Sequence, residues 1–86
     1  MFYNEGLRLR EAIKDNVFDF MHHTPDCSKY GIGMTTAEIF RECGLDWGPQ
    51  ENATSSNQQY WMVALLRTLE NEGKVYRDDK KKWHVK

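Results

Sequence analysis

The stretch SSNQQYWMVALLRTLENEGKVYRDDKKKWHVK, Ser55 to Lys86, closes the chain and decides its fold. Its first half has a helical period: Met62, Leu65, Leu66 and Leu69 recur at three- and four-residue steps and share one side of a 100° wheel. Asn57, Tyr60, Ala64, Arg67 and Asn71 line the other side, with Val63 at its edge and Gln58 turned partly toward the core. Ser56 and Gln59 have the spacing of a capping box, and Gly73 supplies a stop, which predicts a helix over 56–72. After Gly73 the period becomes two. Val75 and Arg77 alternate with Tyr76, DDKK turns the chain, and Trp83 and Val85 alternate with an outward His84. The reading is a β-hairpin over about 74–86.

Working back, Leu9, Ile13, Val17, Phe20 and Met21 mark the buried stripe of a first helix over about 5–22. Ala12 and Asn16 lie beside that stripe, and Arg8, Glu11, Asp15 and Asp19 fall opposite. Pro25 stops this helix at or before Thr24. Gly31–Thr35 is read as a short strand with Ile32 and Met34 on one face. Thr35 and Glu38 make a capping box for a helix over 36–43, with Thr36, Ile39, Phe40 and Cys43 facing inward and Gly44 ending it. The loop LDWGPQENATS follows, pinned by Leu45 and Trp47.

Eighty-six residues make one domain, 1–86, and 40% hydrophobic with 13% aromatic residues is enough to fold it. No apolar run approaches the roughly 20 residues that span a bilayer, and the start lacks the layout of a signal peptide, so the expectation is a cytoplasmic protein with no membrane partner. Cys27 and Cys43 are too few for a disulfide scaffold. His22, His23, Cys27 and Cys43 match no standard metal-binding spacing, so neither a metal nor another cofactor is expected. No catalytic constellation or phosphate-cradling loop is recognisable, and so short a chain is not expected to enclose a ligand pocket of several hundred Å³; an enzyme is not expected. The net charge is −1, but its distribution is uneven. Residues 1–73 carry six Lys/Arg against eleven Asp/Glu; residues 74–86 carry six against two.

The fold class is therefore mainly α with a small β-hairpin (α+β), in the order helix, short strand, helix, loop, helix, hairpin. Over nearly its whole length the chain resembles the winged helix-turn-helix superfamily. The capped TTAEIFRECG, the helix SNQQYWMVALLRTLENEG and the hairpin KVYRDDKKKWHV carry the resemblance, with LLRTLENEGKVYR the most typical run. It is one of architecture and identifies no subfamily. Members that read Z-form nucleic acid place an Asn–Tyr pair on the third helix and prolines before the wing tryptophan. Here Val63 and Arg67 stand in those places and Lys81 and Lys82 precede Trp83, so that subfamily is rejected.

The resemblance implies double-stranded DNA as partner, with the third helix in the major groove and the hairpin, the wing, on the phosphate backbone. Regulation or DNA targeting in a bacterial, phage or plasmid setting follows, by a homodimer or a larger complex. Asn57, Gln58, Gln59, Tyr60, Arg67 and Asn71 are candidates for the groove or its rim, because amides pair two-pronged with adenine and arginine with guanine. Ser55 and Ser56 would offer hydroxyls to phosphate at the helix N-terminus. Arg77, Lys80, Lys81 and Lys82 would meet the backbone without reading sequence. Asp78 and Asp79 reduce that charge, and Glu70 and Glu72 would repel phosphate near them. A second reading stays open: a protein-interaction module, adaptor or inhibitor, with Phe2, Tyr3, Leu7 and Phe18 as its surface.

Overall fold

The computed structural model describes the backbone of all 86 residues and every side chain but that of Ser55. Helix α1 runs Phe2–His23, a 3-10 turn covers Pro25–Cys27, α2 runs Thr36–Glu42 and α3 runs Ser55–Asn71. Strands β1, Val75–Arg77, and β2, Trp83–Val85, pair antiparallel with Val75 opposite Val85, Tyr76 opposite His84 and Arg77 opposite Trp83. Met34 adds a bridge to Trp83 on the other edge of β2. The fold is mainly helical α+β, with three helices and a two-stranded sheet.

Local chemistry explains most boundaries. Thr35 accepts the Glu38 N–H while the Glu38 carboxylate accepts the Thr35 N–H, a closed capping box. Gly44 and Gly73, with φ of +71° and +77°, end α2 and α3 in the left-handed conformation that only glycine adopts at little cost. The N-cap of α3 is Thr54, whose hydroxyl accepts the Asn57 N–H, and not Ser56. The chain leaves its loop two residues earlier than the Ser56–Gln59 spacing implies. Helix α1 begins at Phe2, three residues before its expected start and without a side-chain cap.

One cluster forms the core. Val17 and Met21 of α1, Ile39 and Phe40 of α2, the Met62–Leu65–Leu66–Leu69 face of α3, and Val75, Trp83 and Val85 of the hairpin meet in it with Cys27 and Met34. Each of the larger side chains contributes roughly 1.5–3 kcal/mol on burial. Burial also pushes the Cys27 and Cys43 thiols up to about 11, so neither is a ready nucleophile.

Four expectations about facing are corrected. Leu9 is 50% exposed, and the stripe of α1 packs on the core only from Ile13 onward. Ile32 points to solvent while Met34 is buried: Gly33 between them has φ +81°, which breaks strand alternation. Trp47 is 84% exposed, so of the two expected pins only Leu45 packs on the core. His84 is 4% exposed rather than outward, because the segment from Ser28 to Gly33 covers the outer face of β2. A Cβ on Gly33 would stand 2.8 Å from the His84 Nε2, so the covering chain can lie this close only with glycine there.

Candidate nucleic-acid interface

Helix α3 presents its outward face as the 100° wheel requires. Asn57, Tyr60, Ala64, Arg67 and Asn71 are all exposed, and Ser56 with them, whereas Gln59 is half-buried. Ser55 opens the helix, but its side chain lies outside the described residues. Gln58 is committed elsewhere: its Oε1 accepts the Trp47 N–H at 2.9 Å, and its Nε2 donates to the Gly48 and Ala53 carbonyls at 2.8 Å. It braces the loop ahead of α3 and has no amide left to offer a base. Arg67 is paired with Glu70 at 2.8 Å.

The hairpin is fastened to α2 and α3 through Trp83. Its indole N–H donates to the buried Thr36 hydroxyl at 3.0 Å, and its backbone exchanges two hydrogen bonds with Met34, just ahead of α2. The guanidinium carbons of Arg67 and Arg77 each lie 5.3 Å from the Trp83 ring centroid, within cation–π range. Arg77 is half-buried, and its Nε has no hydrogen-bond partner among the described residues. Neither the Thr36–Trp83 bond nor the double arginine cover was legible in the sequence, since both depend on how three elements meet.

The tip of the hairpin is built on Asp78. Its Oδ1 accepts the Lys80 and Lys82 N–H groups, both at 2.9 Å, and its Oδ2 faces the His84 Nε2 at 2.7 Å. The other ring nitrogen of His84 faces the Ser28 carbonyl at 3.0 Å, and the ring stacks on Tyr76 at 4.9 Å. Both nitrogens face acceptors, so only the imidazolium donates to both. Burial, the largest single influence, disfavours that charge; the Asp78 carboxylate and the Ser28 carbonyl outweigh it and hold the His84 pKa above its ordinary value. The His84 hydrogen bond and then the Lys82 N–H lower the Asp78 pKa. Asp78 is thus a turn builder, and Lys80 and Lys81 project from the tip it holds, with Lys81 in the left-handed region at φ +64° and Lys82 half-buried.

The feared carboxylates are engaged as well. Glu72 pairs with Lys14 at 2.6 Å and Lys74 at 3.4 Å, which lowers its pKa and raises that of Lys14. Of the other proposed surface, Phe2 and Tyr3 are exposed on the first turn of α1. Leu7 is half-buried, and Phe18 packs on the core beside Lys74. Two clefts of about 350 and 420 Å³ share Trp61 as a wall, and both are open to solvent rather than enclosed. Several of their polar residues are engaged: Lys14 with Glu11 and Glu72, Thr68 with the Ala64 carbonyl, and Gln58 with its loop. Among the described residues no group of three His, Cys, Asp or Glu is placed to hold a metal, and no helix is long and apolar enough to cross a membrane. Compared with protein-family models, curated proteins and solved structures, the chain matches none.

Proposed function

We propose that this chain is a winged helix that binds double-stranded DNA, with α3 in the major groove and the hairpin tip on the phosphate backbone. The observation that carries the reading is the outward face of α3. Asn57, Tyr60, Ala64, Arg67 and Asn71 are exposed together and include no carboxylate, in a segment that otherwise belongs to the acidic part of the chain. Supporting it, the Met34 bridge and the Trp83–Thr36 bond hold the hairpin to the start of α2, so helix and tip would meet a duplex as one rigid surface.

On this reading Asn57, Tyr60 and Asn71 offer hydrogen bonds to base edges or their rim. Arg67 reaches guanine once it gives up Glu70 and its place over the Trp83 ring for the base, with one charge-assisted partner replacing another. Lys80 and Lys81 supply two phosphate contacts that are blind to sequence. Gln58 leaves the set of readers because the loop holds it, and Arg77 becomes a support for Trp83. Fluorescence anisotropy with a pool of labelled duplexes tests the assignment. Replacing Tyr60 and Arg67 together by alanine weakens selection of preferred sequences, while circular dichroism shows the fold kept despite the lost Arg67 cover of Trp83. Selection unchanged by that double substitution removes α3 from the groove.

A further inference from the structure

The N-terminal half of α1 is a helix without a visible reason to be one. At 22 residues and 1.5 Å per residue α1 is about 33 Å long, against a longest molecular dimension of 40 Å. Residues 2–12 are exposed except for a half-buried Leu7. The start has no side-chain cap, and Gly6 costs roughly 1 kcal/mol relative to alanine within a helix. Glu5–Arg8 and Glu11–Lys14 ion pairs cross single turns here, and such pairs contribute only a few tenths of a kcal/mol each. Helical stability comes mainly from packing an amphipathic face, and this face has nothing on it.

The face is nonetheless well defined. Phe2, Gly6 and Leu9 stand at i, i+4 and i+7, and the stripe continues into Ile13 and Val17, which pack on the core. Phe2 is 88% and Tyr3 77% exposed. A Cβ on Gly6 would meet nothing within 4 Å, so another backbone can approach closely there. We propose that these first turns of α1 pair antiparallel with the same turns of a second copy of this chain, Phe2 of each copy lying against Leu9 of the other and the two Gly6 residues flanking the twofold axis, half a residue from it.

Three features select a second copy as the occupant. The stripe reads large, small, large about the point between Glu5 and Gly6, so turning it end for end superposes Phe2 on Leu9, as an isologous contact requires. Residues 1–15 carry Glu5, Glu11 and Asp15 against Arg8, Arg10 and Lys14, so two copies meet without net side-chain repulsion, and no partner of opposite charge is favoured. The area suffices: with about 150–250 Å² for each buried aromatic, Phe2, Tyr3 and Leu9 with their flanks supply roughly 600 Å² per copy. Two copies bury about 1,200 Å², the lower end of specific interfaces. The inference does not rest on DNA binding, because the face used is not the outward face of α3.

Sedimentation equilibrium of the intact chain at increasing concentration tests it. The expected result is a rise from the mass of one chain to that of two, abolished by Leu9→Glu and by Phe2→Lys. Both replaced side chains are exposed, and circular dichroism checks that the fold is kept. Gly6→Cys in a Cys43→Ser background should cross-link the two copies on mild oxidation, since the axis brings the two positions together. A single-chain mass at every concentration overturns the proposal, as does a dimer that survives Leu9→Glu and Phe2→Lys or fails to cross-link through position 6.

Discussion

Trp83→Phe tests how the hairpin is held to the helices. Trp83 is fully buried, donates its indole N–H to Thr36, and is covered by the guanidinium groups of Arg67 and Arg77. Phenylalanine fills part of the space but loses the pyrrole portion of the ring, two to three carbons' worth of buried surface at about 0.8 kcal/mol each, or roughly 2 kcal/mol. It also leaves the Thr36 hydroxyl buried without its donor, which costs about 1–3 kcal/mol. The sum is about 3–5 kcal/mol, against a total stability of roughly 4–13 kcal/mol for a chain of this length. Urea unfolding followed by far-ultraviolet circular dichroism reads it. With a slope of about 1 kcal/mol/M, the midpoint falls by about 3 M or more, or the protein unfolds without denaturant. Thr36→Val separates the two parts: the double variant should cost about 1–2 kcal/mol less than the two single ones added, because the hydrogen bond is lost only once. A Trp83→Phe cost below about 1 kcal/mol, or strict additivity in the cycle, would refute the view that this bond joins hairpin to helix.

Stability should also follow the charge of the His84–Asp78 pair. His84 has a pKa raised above 6.5, so its contribution is complete below that value and is lost as pH rises through the folded-state pKa. Asp78 has a pKa lowered below 3.8, so its contribution is present above that value and is lost as pH falls through the lowered one. Thermal melts across this range should be highest between about pH 4 and 6.5, and His84→Gln should remove the alkaline decline. Gly33→Ala should destabilise the protein by at least 1–2 kcal/mol, because it combines a left-handed φ with a Cβ placed 2.6 Å from Lys82 Cβ and 2.8 Å from His84 Nε2; chemical denaturation measures it. Gln58→Ala should cost about 1–2 kcal/mol and speed hydrogen exchange at the Trp47 amide, since it removes three bonds from the loop ahead of α3. Lys80→Ala with Lys81→Ala should weaken binding to all duplexes alike and reduce the salt slope by roughly 1.8.

What could be read in advance was whatever depends on one element. The four-residue face of α3, the capping box of α2 and the switch to period two after Gly73 are written in local spacing, and each is present. The misreadings share a cause: they concern what lies across from an element. Alternation along Trp83, His84 and Val85 implies one wet face only if nothing covers it, and the loop at Ser28–Gly33 covers it. The stripe through Leu9 implies burial only where the core reaches it, and the core takes up that stripe only from Ile13 onward. Gln58 looked like an amide at a helix start, but three backbone groups of the preceding loop, five to eleven residues earlier, claim it. The outward face of α3 was legible because exposure there needs only the absence of packing on one side of the wheel.

Whether α3 and the hairpin tip contact DNA is decided by a heteronuclear NMR titration of the labelled chain with mixed-sequence duplex. At low salt, shifts should gather at Asn57, Tyr60, Arg67, Asn71, Lys80 and Lys81 and fade as salt is raised, with Phe2, Tyr3 and Leu9 unmoved. Silence at the α3 and tip positions at low salt, or shifts confined to the start of α1, would contradict the proposed contact.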